Sequence, residues 1–162
     1  EYAREYSMLR QLIIGAAFAA ASAATAQAQS IVDGNNVEEI LNLARGYGSA
    51  NMGEPTSEGN PTISGRIDGV SYQVFFMNCT DGANCEDINF YAGFLDLKPT
   101  LDVINAWNRD KRFGKAYLDS DLDAVIEWDV NLEHGVTREN LDAAVGIWQL
   151  ILDQYTTYIG FK

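Results

Sequence analysis

The sequence predicts an α+β domain, an antiparallel five-stranded sheet with helices packed on it in the order α-β-β-β-α-β-β-α. Three observations carry this. Five segments alternate side chains with the period of two that a strand requires. Three others repeat apolar residues every three or four positions, the helical period. Short turns at Asp68-Gly69, Asp81-Gly82 and 119–123 join successive strands too closely for parallel pairing. The chain has 162 residues, 47% of them hydrophobic and 21% charged, which suits one globular core and not two domains.

The fold reading starts after the N-terminal segment. Met8 begins a stretch with one early cation, Arg10, then an uncharged, mostly apolar run from Leu12 to Ala24. Two small-x-small sites follow, Ala24-Thr25-Ala26 and Ala26-Gln27-Ala28, the order of an export signal. The run is shorter than the roughly 20 apolar residues of a membrane-spanning helix. Residues 1–7 are read as an upstream remnant, 8–28 as a signal peptide cleaved after Ala28, and 29–162 as the single domain. The expected location is periplasmic or secreted, with no membrane span after cleavage.

In the domain, Val37, Ile40, Leu41 and Ala44 mark the first helix, with Glu38 and Glu39 at its positive end and Gly46 and Gly48 closing it. Ser49–Pro61, rich in Gly, Pro, Ser and Asn, reads as a loop. Strands follow at Thr62–Ile67, Val70–Cys79 and Cys85–Phe94. The middle one is apolar on both faces, as a central strand is. Thr100 caps the second helix, whose inner side is Leu101, Ile104 and Trp107 or Asn108 and whose end is Phe113-Gly114. Lys115–Leu118 and Ala124–Leu132 are the fourth and fifth strands, the latter with Ala124, Ile126, Trp128, Val130 and Leu132 inward. Thr137 caps the last helix, and Val136 with Leu141 forms its hydrophobic staple.

The net charge is −12, from 23 acids against 11 bases. Phosphate would be repelled over nearly the whole surface, which excludes general nucleic-acid binding. Two cysteines and one histidine leave little material for a zinc site or a histidine triad. No catalytic residue, metal site or cofactor is assigned.

In an oxidising compartment Cys79 and Cys85, flanking the Asp81-Gly82 turn, read as a disulfide that staples a hairpin. Their spacing is not that of a catalytic C-x-x-C pair. Asp119, Asp121 and Asp123 alternate as calcium ligands do, but the EF-hand pattern needs Gly at Ala124 and Glu at Val130, so solvated turn acids are the better account. His134 has no local partner for catalysis. Trp107, Trp128 and Trp148 read as core. Arg109, Lys111, Arg112 and Lys115 form the one basic cluster. It is either a docking patch for an acidic partner, a second copy included, or a helix C-terminus whose cations complement the dipole.

From Ile63 onward the ordered motifs resemble the YbjN domain family. They are Gly65-Arg66-Ile67-Asp68-Gly69 with Tyr72-Gln73-Val74, and Phe90-Tyr91-Ala92-Gly93-Phe94. Next come Ile104-Asn105-Ala106-Trp107-Asn108 running into Arg112-Phe113-Gly114-Lys115-Ala116-Tyr117-Leu118, then Glu127-Trp128-Asp129 and Gly135-Val136. The resemblance implies a fold similar to type III secretion chaperones, a role in bacterial sensory transduction, and no established catalytic residues. The resulting expectation is an exported, non-enzymatic protein-interaction module, an adaptor, regulator or chaperone-like factor in envelope signalling or stress. The alternative is a carrier of a small apolar ligand between sheet and helices.

Overall fold

The structure, a computed structural model, describes residues 30–162; the signal-peptide and upstream assignments at 8–28 and 1–7 lie outside the described residues. Chain order is β1 (Ile31–Val32), α1 (Val37–Arg45), β2 (Ser49–Met52), β3 (Thr62–Ile67), β4 (Val70–Met77), β5 (Asp87–Phe94), α2 (Leu101–Asp110), β6 (Lys115–Leu118), β7 (Ala124–Asn131), β8 (Val136–Thr137) and α3 (Arg138–Tyr158). The main sheet is antiparallel with order β2-β3-β4-β5-β7-β6, and β1 pairs with β8 separately.

The main sheet has six strands, where the sequence predicts five. The extra strand is β2, inside the segment read as a loop. Its sequence, Ser-Ala-Asn-Met, buries only Ala50 and shows no alternation. Pairing with β3 makes it a strand: Ala50 lies opposite Gly65 and Asn51 opposite Ser64. Arg45 Nε donates to the Ala50 carbonyl at 3.2 Å and covers part of this outer edge. The two-residue β1–β8 pair is likewise made by long-range contact, with Val32 opposite Val136. Strand β4 stops at Met77, two residues before its predicted end, because Asn78 takes a left-handed φ of 52°.

The predicted alternation places the core. Val70, Tyr72, Val74 and Phe76 of β4, with Ile88, Phe90, Ala92 and Phe94 of β5, are buried on one face. Residues from all three helices join them in one apolar cluster. Trp148 of α3 stacks on Phe90 with ring centres 5.4 Å apart, and Phe90 stacks in turn on Trp128. Trp107 and Trp148 are fully buried, while Trp128 is half-buried. Thr100 Oγ1 accepts the Val103 N–H and Thr137 Oγ1 accepts the Asn140 N–H, so both predicted caps form. Both Asp68-Gly69 and Asp81-Gly82 have two successive positive φ values, the pattern a tight hairpin needs.

Among the described residues, the opposite face of the sheet carries no helix. Ser64, Arg66, Ser71 and Gln73 on it are exposed, as are Asp129 and Asn131 at the other end. This α+β layout has its three helices on one side of the sheet and the other side bare.

Candidate functional site

Cys79 and Cys85 are disulfide-bonded. Thr80 and Ala83 bridge inside the ring, across the Asp81-Gly82 turn. The bond reaches beyond its hairpin. Cys85 is buried in the main cluster with Val32. A Cβ on Gly34 would lie 1.9 Å from the Cys85 carbonyl oxygen, so only glycine permits this approach. The Asn84 N–H donates to Asn35 Oδ1 at 2.8 Å. The disulfide loop therefore holds the segment that leads into α1.

The four cations of the basic cluster follow one another where α2 runs into β6, but only Lys111 and Arg112 share a site, and their charges are not equally free. Arg109 forms a two-pronged pair with the neighbouring Asp110, at 2.8 and 2.9 Å. That hydrogen bonding raises the guanidinium and lowers the carboxyl of the pair. Lys115 is ion-paired with Glu127 opposite it on β7, and the bond raises its ammonium. Lys111 lies 5.6 Å from the Trp107 ring centre and Arg112 5.0 Å from that of Phe113. Neither has a carboxylate partner among the described residues. Both line a notch of about 170 Å³, together with Trp107 and Phe113 and with Leu150, Ile151 and Gln154 of α3. Its volume fits one bulky side chain. Leu150 is 47% exposed there.

Sequence reading gave two residues of this region no role beyond the inner side of the second helix. Asn108 presents its side-chain amide to the outer edge of β6 as a strand would. Its Nδ2 donates to the Ala116 carbonyl and its Oδ1 accepts the Ala116 N–H, both at 2.9 Å. Beside it, Trp107 Nε1 donates to the Gly114 carbonyl at 3.2 Å. The Trp107-Asn108 dipeptide thus clasps Gly114–Ala116 and closes the β6 edge against further pairing. The order of Trp107-Asn108 ahead of Gly114-Lys115-Ala116 in the motif series was the available signal.

The bare face holds a larger depression, a trough of about 510 Å³ over Gly93. Arg66, Ser71 and Gln73 form one wall, and Tyr91, Leu95 and Asp119 the other. Burial raises the Tyr91 phenol, with Asp119 and Glu127 adding to the effect. Nearby Tyr117 is pushed up to about 12, first by burial and then by Glu127, to which its hydroxyl donates at 3.2 Å. Both phenols are neutral donors at physiological pH.

The carboxylates of the β6–β7 turn serve the backbone. Asp119 Oδ1 accepts the N–H groups of Asp121 and Asp123. Asp123 Oδ1 accepts the Asp96 N–H and lies 3.5 Å from Lys98 Nζ. His134, 90% exposed at its side chain, sits at a left-handed turn position, 3.6 Å from Glu133.

No curated protein and no solved structure matches the chain. The family model described as "YbjN: Putative bacterial sensory transduction regulator" matches residues 36–161, which takes in every element from α1 to α3 and both members of the Trp107-Asn108 clasp. On that match, over most of its length, the chain belongs to the YbjN family.

Proposed function

We propose that this YbjN-family chain is an exported, non-enzymatic protein-interaction module with a type III secretion chaperone-like arrangement. It works in the periplasm as an adaptor, regulator or chaperone-like factor in envelope signalling or stress. Export is supported by the Cys79–Cys85 disulfide, a bond that persists in oxidising compartments. Among the described residues no helix is long and apolar enough to cross a membrane. Signal cleavage after Ala28 leaves a mature chain starting at Gln29, which N-terminal sequencing of periplasmic material tests; retained Met8 on cytoplasmic protein refutes it.

One observation carries the interaction reading. On a chain of net charge −12, Lys111 and Arg112, with no carboxylate partner among the described residues, line an apolar notch. Such a site takes an apolar side chain flanked by carboxylates, with the charges steering approach. Of the original four cations, Arg109 and Lys115 already hold carboxylates, so the docking charge is concentrated in the other two. The space between sheet and helices is filled by Phe90, Trp148 and Tyr155, and the large trough lies on the other face. That packing lends no support to a ligand carrier.

The test is capture from periplasmic extract with crosslinking. Lys111→Glu with Arg112→Glu should abolish retention of acidic partners while moving the melting temperature by less than about 3 °C. Unchanged capture removes the notch from the reading.

A further inference from the structure

We propose that the occupant of the notch is a second copy of this chain, which seats its acidic, leucine-bearing end against Lys111 and Arg112. This rests on the reading above that the notch is a docking site.

The end in question is built by the β6–β7 turn and the connection from β5 to α2. Leu122 stands in that turn with φ 65° and is 59% exposed. The left-handed region suits glycine or asparagine, so a leucine held there and displayed to solvent is costly on both counts. Leu95 is 85% exposed, and Leu101, read from the sequence as an inner residue of α2, is instead 64% exposed because it sits in the helix's first turn beyond the sheet-facing Ile104 and Trp107. The two segments are tied: the Asp96 N–H donates to Asp123 Oδ1 at 3.0 Å, and Lys98 Nζ donates to the Asp121 carbonyl at 2.6 Å. Three exposed leucines are thus gathered at one end with the exposed carboxylates of Asp96, Asp102 and Asp121.

This is the chemistry the notch lacks. It offers an apolar lining and two cations with no carboxylate partner among the described residues; the leucine end offers apolar side chains and carboxylates. A leucine matches the notch volume. The two features cannot meet within one molecule, because they lie at opposite ends of α2, about 15 Å apart at 1.5 Å per residue over ten residues. Satisfying both needs a neighbour. The net charge of −12 makes two copies repel overall, so association needs a local complementary contact of this kind.

The experiment is sedimentation of the mature protein from about 10 to about 500 μM. It is run in about 0.15 M salt, where a Debye length of about 8 Å screens the net charges but not the contact. The wild type should associate reversibly. Leu122→Gly suits the left-handed backbone and removes only an exposed side chain, so it should fold fully and weaken association about tenfold or more. Lys111→Glu with Arg112→Glu should do the same. An equimolar mixture of the two variants should recover association, since one copy supplies an intact notch and the other an intact leucine end.

A wild type that stays monomeric overturns the proposal, as does association that survives Leu122→Gly or a mixture that recovers nothing. If copies do not associate and the notch variant still loses its periplasmic partners, the docking reading stands and only the self-pairing falls. If the notch variant changes neither, both fall.

Discussion

Replacing Asn108 by alanine removes two hydrogen bonds, from Asn108 Nδ2 to the Ala116 carbonyl and from the Ala116 N–H to Asn108 Oδ1. A neutral hydrogen bond contributes about 1 kcal/mol net, so the pair is worth about 2 kcal/mol. Ala116 is only 3% exposed, which limits how well water can replace the lost partners. Alanine also favours the helix over asparagine by about 0.5 kcal/mol, and that gain must be subtracted. Asn105→Ala supplies the correction: Asn105 is exposed on the same helix and makes no side-chain hydrogen bond among the described residues. The difference between the two variants in urea unfolding should be about 2 kcal/mol, or about 7 °C in melting temperature for a domain of this size. Amide exchange at Ala116 should accelerate in Asn108→Ala alone. The freed β6 edge should also make that variant prone to self-association at high concentration. Equal stabilities for the two variants, with Ala116 exchange unchanged, would refute the edge-clasp account.

Reducing the disulfide should cost about 2 kcal/mol, because so short a ring restricts the unfolded chain only modestly. Exchange should quicken at Asn84 and around Asn35 as well as in the hairpin, and free thiols in protein purified without reductant would contradict the staple. Gly34→Ala should destabilise by on the order of 3 kcal/mol by urea unfolding, since its Cβ meets the Cys85 backbone; a neutral result would mean that this approach relaxes freely. Alkali should weaken the fold. Burial raises the Tyr72 phenol from 10.0 to about 12, and burial with Glu127 does the same for Tyr117. The unfolded chain releases these protons first, so their stabilising effect is complete below pH 10 and is lost as pH climbs from 10 to 12. A urea midpoint that is flat across that window would refute it.

The strands with a buried face were readable because alternation is local: the residues read as inward in β5 and β7 are the ones that join the core, although Asn89 and Val125 on the other face are buried too. The caps at Thr100 and Thr137 were readable because a hydroxyl reaches a backbone N–H only three residues away. Strand β2 was not. It has one buried residue, and its conformation comes from β3, whose partners lie 11 to 17 residues along the chain. The clasp by Asn108 was half legible, since the motif was conspicuous but its partner was not.

The sequence alone determined the α+β class, the hairpin turns, the disulfide pair and the family, because each is written in the spacing or order of neighbouring residues. Only the tertiary structure decided which cations are free. Arg109, Lys111, Arg112 and Lys115 look equivalent in the sequence, yet Lys115 meets Glu127 only because β6 and β7 pair in that register. The notch exists only where α3 lays Leu150 and Ile151 beside the end of α2. A charge's effect depends on the groups within a few ångströms, and distant parts of the chain supply those groups only once it has folded.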